Sequence, residues 1–187
     1  MLVERIAVFC GSKSGTSEIF VAHATELGTL LAKQQKTLVY GGGSVGIMGA
    51  LADAVMHGGG QVIGVITELL LTWEQQHTGI TDLRVVPDMH VRKKMMYELS
   101  DAAIILPGGN GTLDELFEML TWNTLQIHNK KIVVLNSGGY YQHLIAHMQQ
   151  MQAEGFLYES WTDRLVVVNT PAEAINVLDG DTRQIQP

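Results

Sequence analysis

Apolar residues fall in short, nearly continuous runs at 6–10 (IAVFC), 37–40 (TLVY), 62–66 (VIGVI), 83–86 (LRVV), 102–106 (AAIIL), 131–135 (KIVVL) and 165–168 (LVVV). Strands buried on both faces read as continuous runs of this kind rather than as strict alternation. Between them the spacing changes to a helical period. Over 17–35 it places Ile19, Ala22, Leu27, Leu30 and Leu31 on one side. Residues 46–57 are small and apolar and end at Gly58–Gly60, a strong stop for a helix. Further helices are predicted over 88–100, 112–126, 139–153 and 171–178.

Strand and helix alternating in this way predict a parallel sheet covered by helices. The expected fold is α/β, a Rossmann-like doubly wound parallel sheet of about seven strands with helices on both faces. No Pro- or Ser-rich linker and no block of like charge interrupts the 187 residues, so 1–187 is expected to form a single nucleotide-binding domain. Ligands in such folds sit at the carboxyl ends of the strands. The loops beginning at Gly11, Gly41, Thr67 and Pro107 are therefore where chemistry is expected. Residues 67–82 are the longest stretch without a clear element, and long loops are often functional.

Composition narrows the partners. Hydrophobic residues make up 46% and charged residues 17%, which excludes a disordered chain. Lys+Arg is 12 against Asp+Glu 19, a formal net charge of -7. That balance supplies no field for a nucleic-acid backbone but leaves room for a small anion in a local pocket. The single cysteine, Cys10, forms no internal disulfide and fits a reducing compartment. The N-terminal MLVERIAVFCGS mixes charges with apolar residues, and every apolar run is far short of the ~20 residues that cross a bilayer. A soluble, cytoplasmic protein without membrane partners is expected.

The first glycine motif is YGGGSVGIMGA. Gly41, Gly43 and Gly46 match G-x-G-x-x-G after a strand, and Glu68 lies near the distance of a ribose carboxylate. Glycines there let backbone N–H groups approach a phosphate at a helix N-terminus. Three readings stay open: phosphate or ribose contact, a dinucleotide site, or a tight turn needing positive φ. The motif follows the second strand, whereas a dinucleotide fingerprint opens the first strand–helix unit. Candidate contacts at these strand ends are Gly11 and Ser12 after the first run and Gly42, Gly43 and Gly46 after the second.

The second motif, LPGGNGTLDELFEML, places Gly108, Gly109, Asn110, Gly111, Thr112, Leu113 and Asp114 between a strand and a helix. Thr112 and Glu115 spell the capping-box pattern, in which Thr112 caps the helix and Glu115 reaches back. A cap alone does not require three glycines before it, so a ligand approaching this backbone is the competing reading. The helix's expected apolar face is Leu113, Leu116, Phe117, Leu120 and Thr124, with Glu115 at its edge, over the loop.

In the third, MHVRKKMMYEL, a helical wheel puts Met89, Val91, Met95, Met96 and Leu99 on one arc with Arg92 at its centre. An arginine there must be paired or reach a cleft; the alternative is a stem that snorkels to solvent. Lys93 adds a second positive charge beside it. His143 and His147 stand at i, i+4, but the glutamate of H-E-x-x-H and a third ligand are missing, so no metal is expected. Neither G-x-x-x-x-G-K-[ST] nor G-x-S-x-G occurs, and the methionines read as core filler.

Glycine loops and Arg92 suit a phosphate, while Glu115 close by would be repelled by it. A nucleoside monophosphate reconciles the two, because its phosphate and its anomeric carbon are separated. Cleavage of an N-glycosidic bond develops positive charge at that carbon, and carboxylates stabilise such charge in glycosidases.

M-H-x-R-K-x-x-M (Met89–Met96) followed by P-G-G-x-G-T-x-x-E (Pro107–Glu115) resembles the LOG (LONELY GUY) family, long labelled lysine decarboxylase-like. The resemblance extends to VFCGS, to YGGGSVGIMGALADAV, and to Thr121, Trp122, Ile127 and His128. It implies hydrolysis of N6-substituted AMP to free base and ribose 5-phosphate, without metal or redox cofactor. The implied catalytic pair is Arg92 and Glu115. The implied nucleotide contacts are Glu74, Arg92, Lys93, Gly109 to Glu115, and Thr121. Asn110 and Asp114 stand where many members have tyrosine and glutamate. The resemblance also implies a homodimer with its sites near the interface. On it, the glycines and Arg92 hold the phosphoribosyl part, and Glu115, its ionised form favoured by Arg92, faces the sugar carbon. The rival reading is a nucleotide or molybdenum-cofactor carrier on the same fold, which has no need of the Arg92–Glu115 pair. An NAD-dependent oxidoreductase rests on the glycine motif alone, and no pyridoxal-phosphate lysine motif supports lysine decarboxylation.

Overall fold

The computed structural model describes residues 3–71 and 75–180. The expected strands form within a residue or so of their apolar runs: β1 (Arg5–Phe9), β2 (Thr37–Tyr40), β3 (Val62–Thr67), β4 (Asp82–Val86), β5 (Ala102–Ile105), β6 (Lys131–Leu135) and β7 (Leu165–Val168). They make one parallel sheet in the order β4-β3-β2-β1-β5-β6-β7. The helices are α1 (Glu18–Lys33), α2 (Gly46–His57), α3 (Glu68–Leu71), α4 (Met89–Leu99), α5 (Asn110–Thr124), α6 (Gln142–Ala153) and α7 (Pro171–Asp179). The described part of 67–82 is thus not without structure. It carries the short α3, which is too brief to show a helical period.

Strand pleating divides the core in two. Ile6, Val8, Ala102 and Ile104 point to one face with Leu27 and Leu31 of α1, Leu51 of α2 and Ile175 of α7. Ala7, Phe9, Ala103 and Ile105 point to the other with Met96 and Tyr97 of α4, Leu116 and Met119 of α5 and Met148 of α6. Each fully buried leucine contributes about 1.5–3 kcal/mol relative to exposure. Helices therefore cover both faces, and both faces of the central strands are apolar, as continuous runs require.

The chain's direction of travel reverses at β1. Strands β2, β3 and β4 lie on one side of it, and β5, β6 and β7 on the other. Helices leaving β1 and β5 depart to opposite faces, which opens a crevice between the carboxyl ends of these two strands. The loops opposed there begin at Cys10 and Leu106. Among the described residues no helix is long and apolar enough to cross a membrane.

Candidate active site

A cavity of about 580 Å³ occupies the crevice, within the ~300–1,000 Å³ usual for small-molecule sites. The loop after β1 enters it with Gly11 and Ser12. The loop after β5 and the first turns of α5 enter it with Gly108, Gly109, Asn110, Gly111, Thr112, Asp114 and Glu115, and α4 contributes Arg92. The two loops are stitched together by the Gly11 N–H, which donates to Pro107 O at 3.0 Å.

Helix α5 begins two residues before Thr112. Gly109 is its N-cap and offers no side-chain acceptor. Thr112 consequently stands at the third helical position, and the Thr112–Glu115 capping box does not form. The same T-x-x-E pattern at Thr170 and Glu173 does form a capping box, at the start of α7. The first three amides of α5, from Asn110, Gly111 and Thr112, have no intrahelical acceptor, as at any helix start. They face the cavity end of the helix dipole, where an anion is favoured. The glycines divide by role. A Cβ on Gly108 would collide with Thr112 Oγ1 and lie 2.8 Å from Gly11 N, so packing demands glycine there. A Cβ on Gly109 or Gly111 would meet nothing within 4 Å, so the space in front of them is free for a ligand.

Arg92 is only 4% exposed. Its Nε donates to Val65 O at 2.8 Å, within β3, and its Nη2 to Gly41 O at 3.0 Å, just past the end of β2. Its Nη1 lies 4.0 Å from Glu115 Oε1. Glu115 is itself 8% exposed and belongs to the buried side of α5, with Thr112, Leu116, Met119 and Asn123. The expected apolar arcs are rotated in consequence: Thr124 is exposed on α5, and Val91 is exposed on α4, whose buried side is Arg92, Lys93, Met96 and Tyr97. Helix α4 is fixed at its start by Asp88, whose carboxylate accepts from the His90 and Val91 amides at 2.8 and 2.9 Å.

Both acids of the glycine motif thus turn toward cations. Asp114 accepts from Lys93 Nζ at 3.0 Å, and Glu118 lies 3.1 Å from the same nitrogen. Burial alone would lower the Lys93 pKa, but the hydrogen bonds to Asp114 and Glu118 outweigh it and hold the ammonium above its ordinary range. Tyr97 donates to Glu118 at 2.8 Å, and burial first, then that carboxylate, pushes its hydroxyl pKa far up.

Several expected contacts lie elsewhere. Lys93 does not line the cavity; it is committed to the two carboxylates. Leu113 packs into the core on the α4–α6 face. Thr121 is exposed and donates to Phe117 O at 2.7 Å, about 13 Å along the helix from Thr112 at 1.5 Å per residue. Gly42, Gly43 and Gly46 do not reach the cavity wall either. Their loop is occupied by the segment at 75–77: the Ser44 amide donates to Gln75 O at 2.8 Å, the His77 amide to Gly42 O at 2.9 Å, and Gly43 bridges Gln76. Gly42 (φ +81°) and Gly46 (φ +62°) serve the turn, and any side chain on Gly46 would strike the Ser12 carbonyl. Gly41 makes room for Arg92, since a Cβ there would collide with Nη2. Glu74 lies outside the described residues. Among the described residues no group of three or more His, Cys, Asp or Glu could hold a metal ion.

The cavity also includes residues not anticipated from sequence: Lys13, Phe20, Met48, Met89 and Tyr140. Tyr140 follows the SGG turn at the carboxyl end of β6. The strand-end rule that selected four other loops applies to this one equally. Phe20 and the methionines have no comparable signal, because they look like any core residue.

Fold and cavity together define a doubly wound α/β protein whose ligand space lies at the switch point of its sheet. Comparison with known proteins narrows that class. The family model described as "Possible lysine decarboxylase" matches residues 48–178. A "Probable cytokinin riboside 5'-monophosphate phosphoribohydrolase" of Oryza sativa subsp. japonica is 43% identical over 182 residues, 97% of this chain and 82% of the relative. The cytokinin riboside 5'-monophosphate phosphoribohydrolase of Rhodococcoides fascians is 44% identical, covering 87% of this chain and 82% of its own. One of Arabidopsis thaliana is 45% identical, covering 90% and 78%. The chain belongs to this family, the LOG family. Among solved structures, a molybdenum cofactor binding protein of Rippkaea orientalis superposes with a TM-score of 0.73 at 21% identity, over 96% of this chain and 98% of that one. The molybdenum cofactor carrier protein of Chlamydomonas reinhardtii does so with 0.73 at 21% identity, over 95% and 97%. That likeness is one of fold.

Proposed function

We propose that this protein hydrolyses the N-glycosidic bond of an adenosine 5'-monophosphate, plain or N6-substituted, to free base and ribose 5-phosphate. The observation that carries the reading is the buried Arg92–Glu115 pair lining a cavity that the uncapped start of α5 lines as well. The amides of Gly109 to Thr112 receive the phosphate. Glu115 stands one helical turn further on, where the sugar of a nucleotide so held would come. As the C–N bond breaks, its carboxylate stabilises the positive charge growing at the anomeric carbon and orients the attacking water. Water's oxygen joins that carbon and keeps one proton as the anomeric hydroxyl, while its other proton passes to the nitrogen of the leaving base. Arg92, pinned by two carbonyls, keeps Glu115 in place. The names of the relatives support the same activity.

The test is chromatographic. Purified protein incubated with AMP or isopentenyladenosine monophosphate is expected to release free base. Nucleotide bound without release would favour the carrier reading. The reaction as written needs no cofactor, and a cytoplasmic setting accords with one cysteine and no disulfide.

The same reading includes a homodimer. Phe117, Leu120, Met148, Met151, Phe156 and Trp161 line an apolar groove between α5 and α6. Phe156 and Tyr158 in its lining are 77% and 96% exposed, and Thr121 lies within it. Contiguous exposed apolar surface of this kind marks an interface. A second copy seated there would give Thr121 a partner surface that its own cavity does not. Light scattering is expected to report a dimer for the wild type and a monomer for Phe156→Asp. A wild-type monomer would remove this part of the reading.

A further inference from the structure

The carbonyls of Leu106, Pro107, Gly108 and Gly109 follow one another into the cavity loop, and each has its own donor. The Tyr141 hydroxyl donates to Leu106 O at 2.7 Å. The Gly11 amide donates to Pro107 O at 3.0 Å, and the Leu113 amide to Gly109 O at 3.2 Å. The Tyr140 hydroxyl donates to Gly108 O at 2.6 Å. In a trans peptide the C=O and the next N–H point in opposite directions. Fixing a carbonyl therefore fixes the amide that follows it.

The peptide joining Gly108 to Gly109 is the one that needs fixing. Glycine on both sides removes the Cβ contacts that ordinarily hold a peptide in one orientation. A flipped peptide would turn the Gly108 carbonyl toward the place of the Gly109 amide, and a carbonyl repels an anion where an amide attracts it. The group that holds this peptide is the Tyr140 hydroxyl. Its ring is held in turn by edge contacts to Phe20 at 5.5 Å and Tyr141 at 4.8 Å. Tyr141 is buried, and burial pushes its hydroxyl pKa far up, so it stays a donor.

We propose that Tyr140 is a positioning residue that locks the Gly108–Gly109 peptide in its amide-inward, phosphate-accepting orientation, with Tyr141 securing the carbonyl before it. The proposal rests on the reading of a phosphate-bearing ligand at this loop. It gives the SGGYY turn after β6 a role in recognising the phosphoryl end of the substrate, with no atom of Tyr140 required on the reacting bond.

Tyr140→Phe tests it, because the ring and its edge contacts remain and only the donor is lost. Tyr140 is 44% exposed, so folding is not at stake. Calorimetric titration with ribose 5-phosphate is expected to show about tenfold weaker binding, the scale of one hydrogen bond, and adenine binding within about twofold of wild type. KM for AMP should rise by a similar factor while kcat changes less. Unchanged affinity for ribose 5-phosphate would overturn the lock, and so would equal weakening toward both probes, which a general structural role produces. If wild type binds ribose 5-phosphate but releases no base from AMP, the hydrolase reading falls and the binding comparison still decides for Tyr140. A wild type that binds no ribose 5-phosphate overturns the lock as well.

Discussion

Glu115→Gln is expected to slow base release from AMP about 1,000-fold, equivalent to ~4 kcal/mol of transition-state stabilisation. The substitution keeps volume and hydrogen-bonding capacity and removes one negative charge. Ground-state binding should hold, because on the proposed reading the phosphate is held at the start of α5, and the amide still fits beside Arg92. The loss belongs in kcat, since the positive charge on the sugar carbon exists only in the transition state. Calorimetry with AMP alongside steady-state kinetics separates the two. A variant retaining a tenth or more of wild-type kcat would show that another group meets the oxocarbenium charge.

The second large effect is expected at a residue that touches no substrate. Gly41→Ala should lower kcat/KM about 100-fold, the scale of a misplaced catalytic group. A methyl on Gly41 collides with Arg92 Nη2 and lies 3.3 Å from the Met48 side chain. The guanidinium must leave its seat on Gly41 O, and its alignment with Glu115 goes with it. The backbone of Gly41 is not in the left-handed region, so alanine itself is unstrained and the chain should fold. Kinetics together with near-ultraviolet circular dichroism is the check. Wild-type turnover in a folded Gly41→Ala protein would mean that this seat for Arg92 is not what catalysis requires. Arg92→Ala is the companion, expected to lose at least as much activity. It should also unfold more readily, because the buried carbonyls of Val65 and Gly41 then lose the donors that Arg92 supplies.

The gap between pattern and site is instructive at particular residues. Seven apolar runs became seven strands because a strand buried on both faces is recorded directly in contiguous residues. The four residues of α3 left no period to read. On α4, the wheel placed Val91 inside and overlooked Tyr97. Hydrophobicity alone misjudged a face that carries Arg92 and Lys93, each satisfied by partners from other elements. The two T-x-x-E patterns make the point most sharply. At Thr170 a capping box forms, with Pro171 at the first helical position. At Thr112 the identical pattern is passed over, because Gly109 lets α5 start earlier and Thr112 Oγ1 packs instead against Gly108.

By itself, then, the sequence determined the order of strands and helices along the chain and the glycine loop at the end of β5, and it singled out Arg92 and Glu115, which the fold sets 4.0 Å apart. All of these are written in contiguous stretches, in periodicity and in punctuation by glycine. The tertiary structure alone decided which glycine loop opens to the cavity and which is occupied by 75–77. It also withdrew Lys93 from the cavity and brought in Tyr140. It seated Arg92 on carbonyls 27 and 51 residues away. Those outcomes depend on which strand ends become neighbours, and the reversal of the sheet at β1 sets that juxtaposition for residues far apart in the chain.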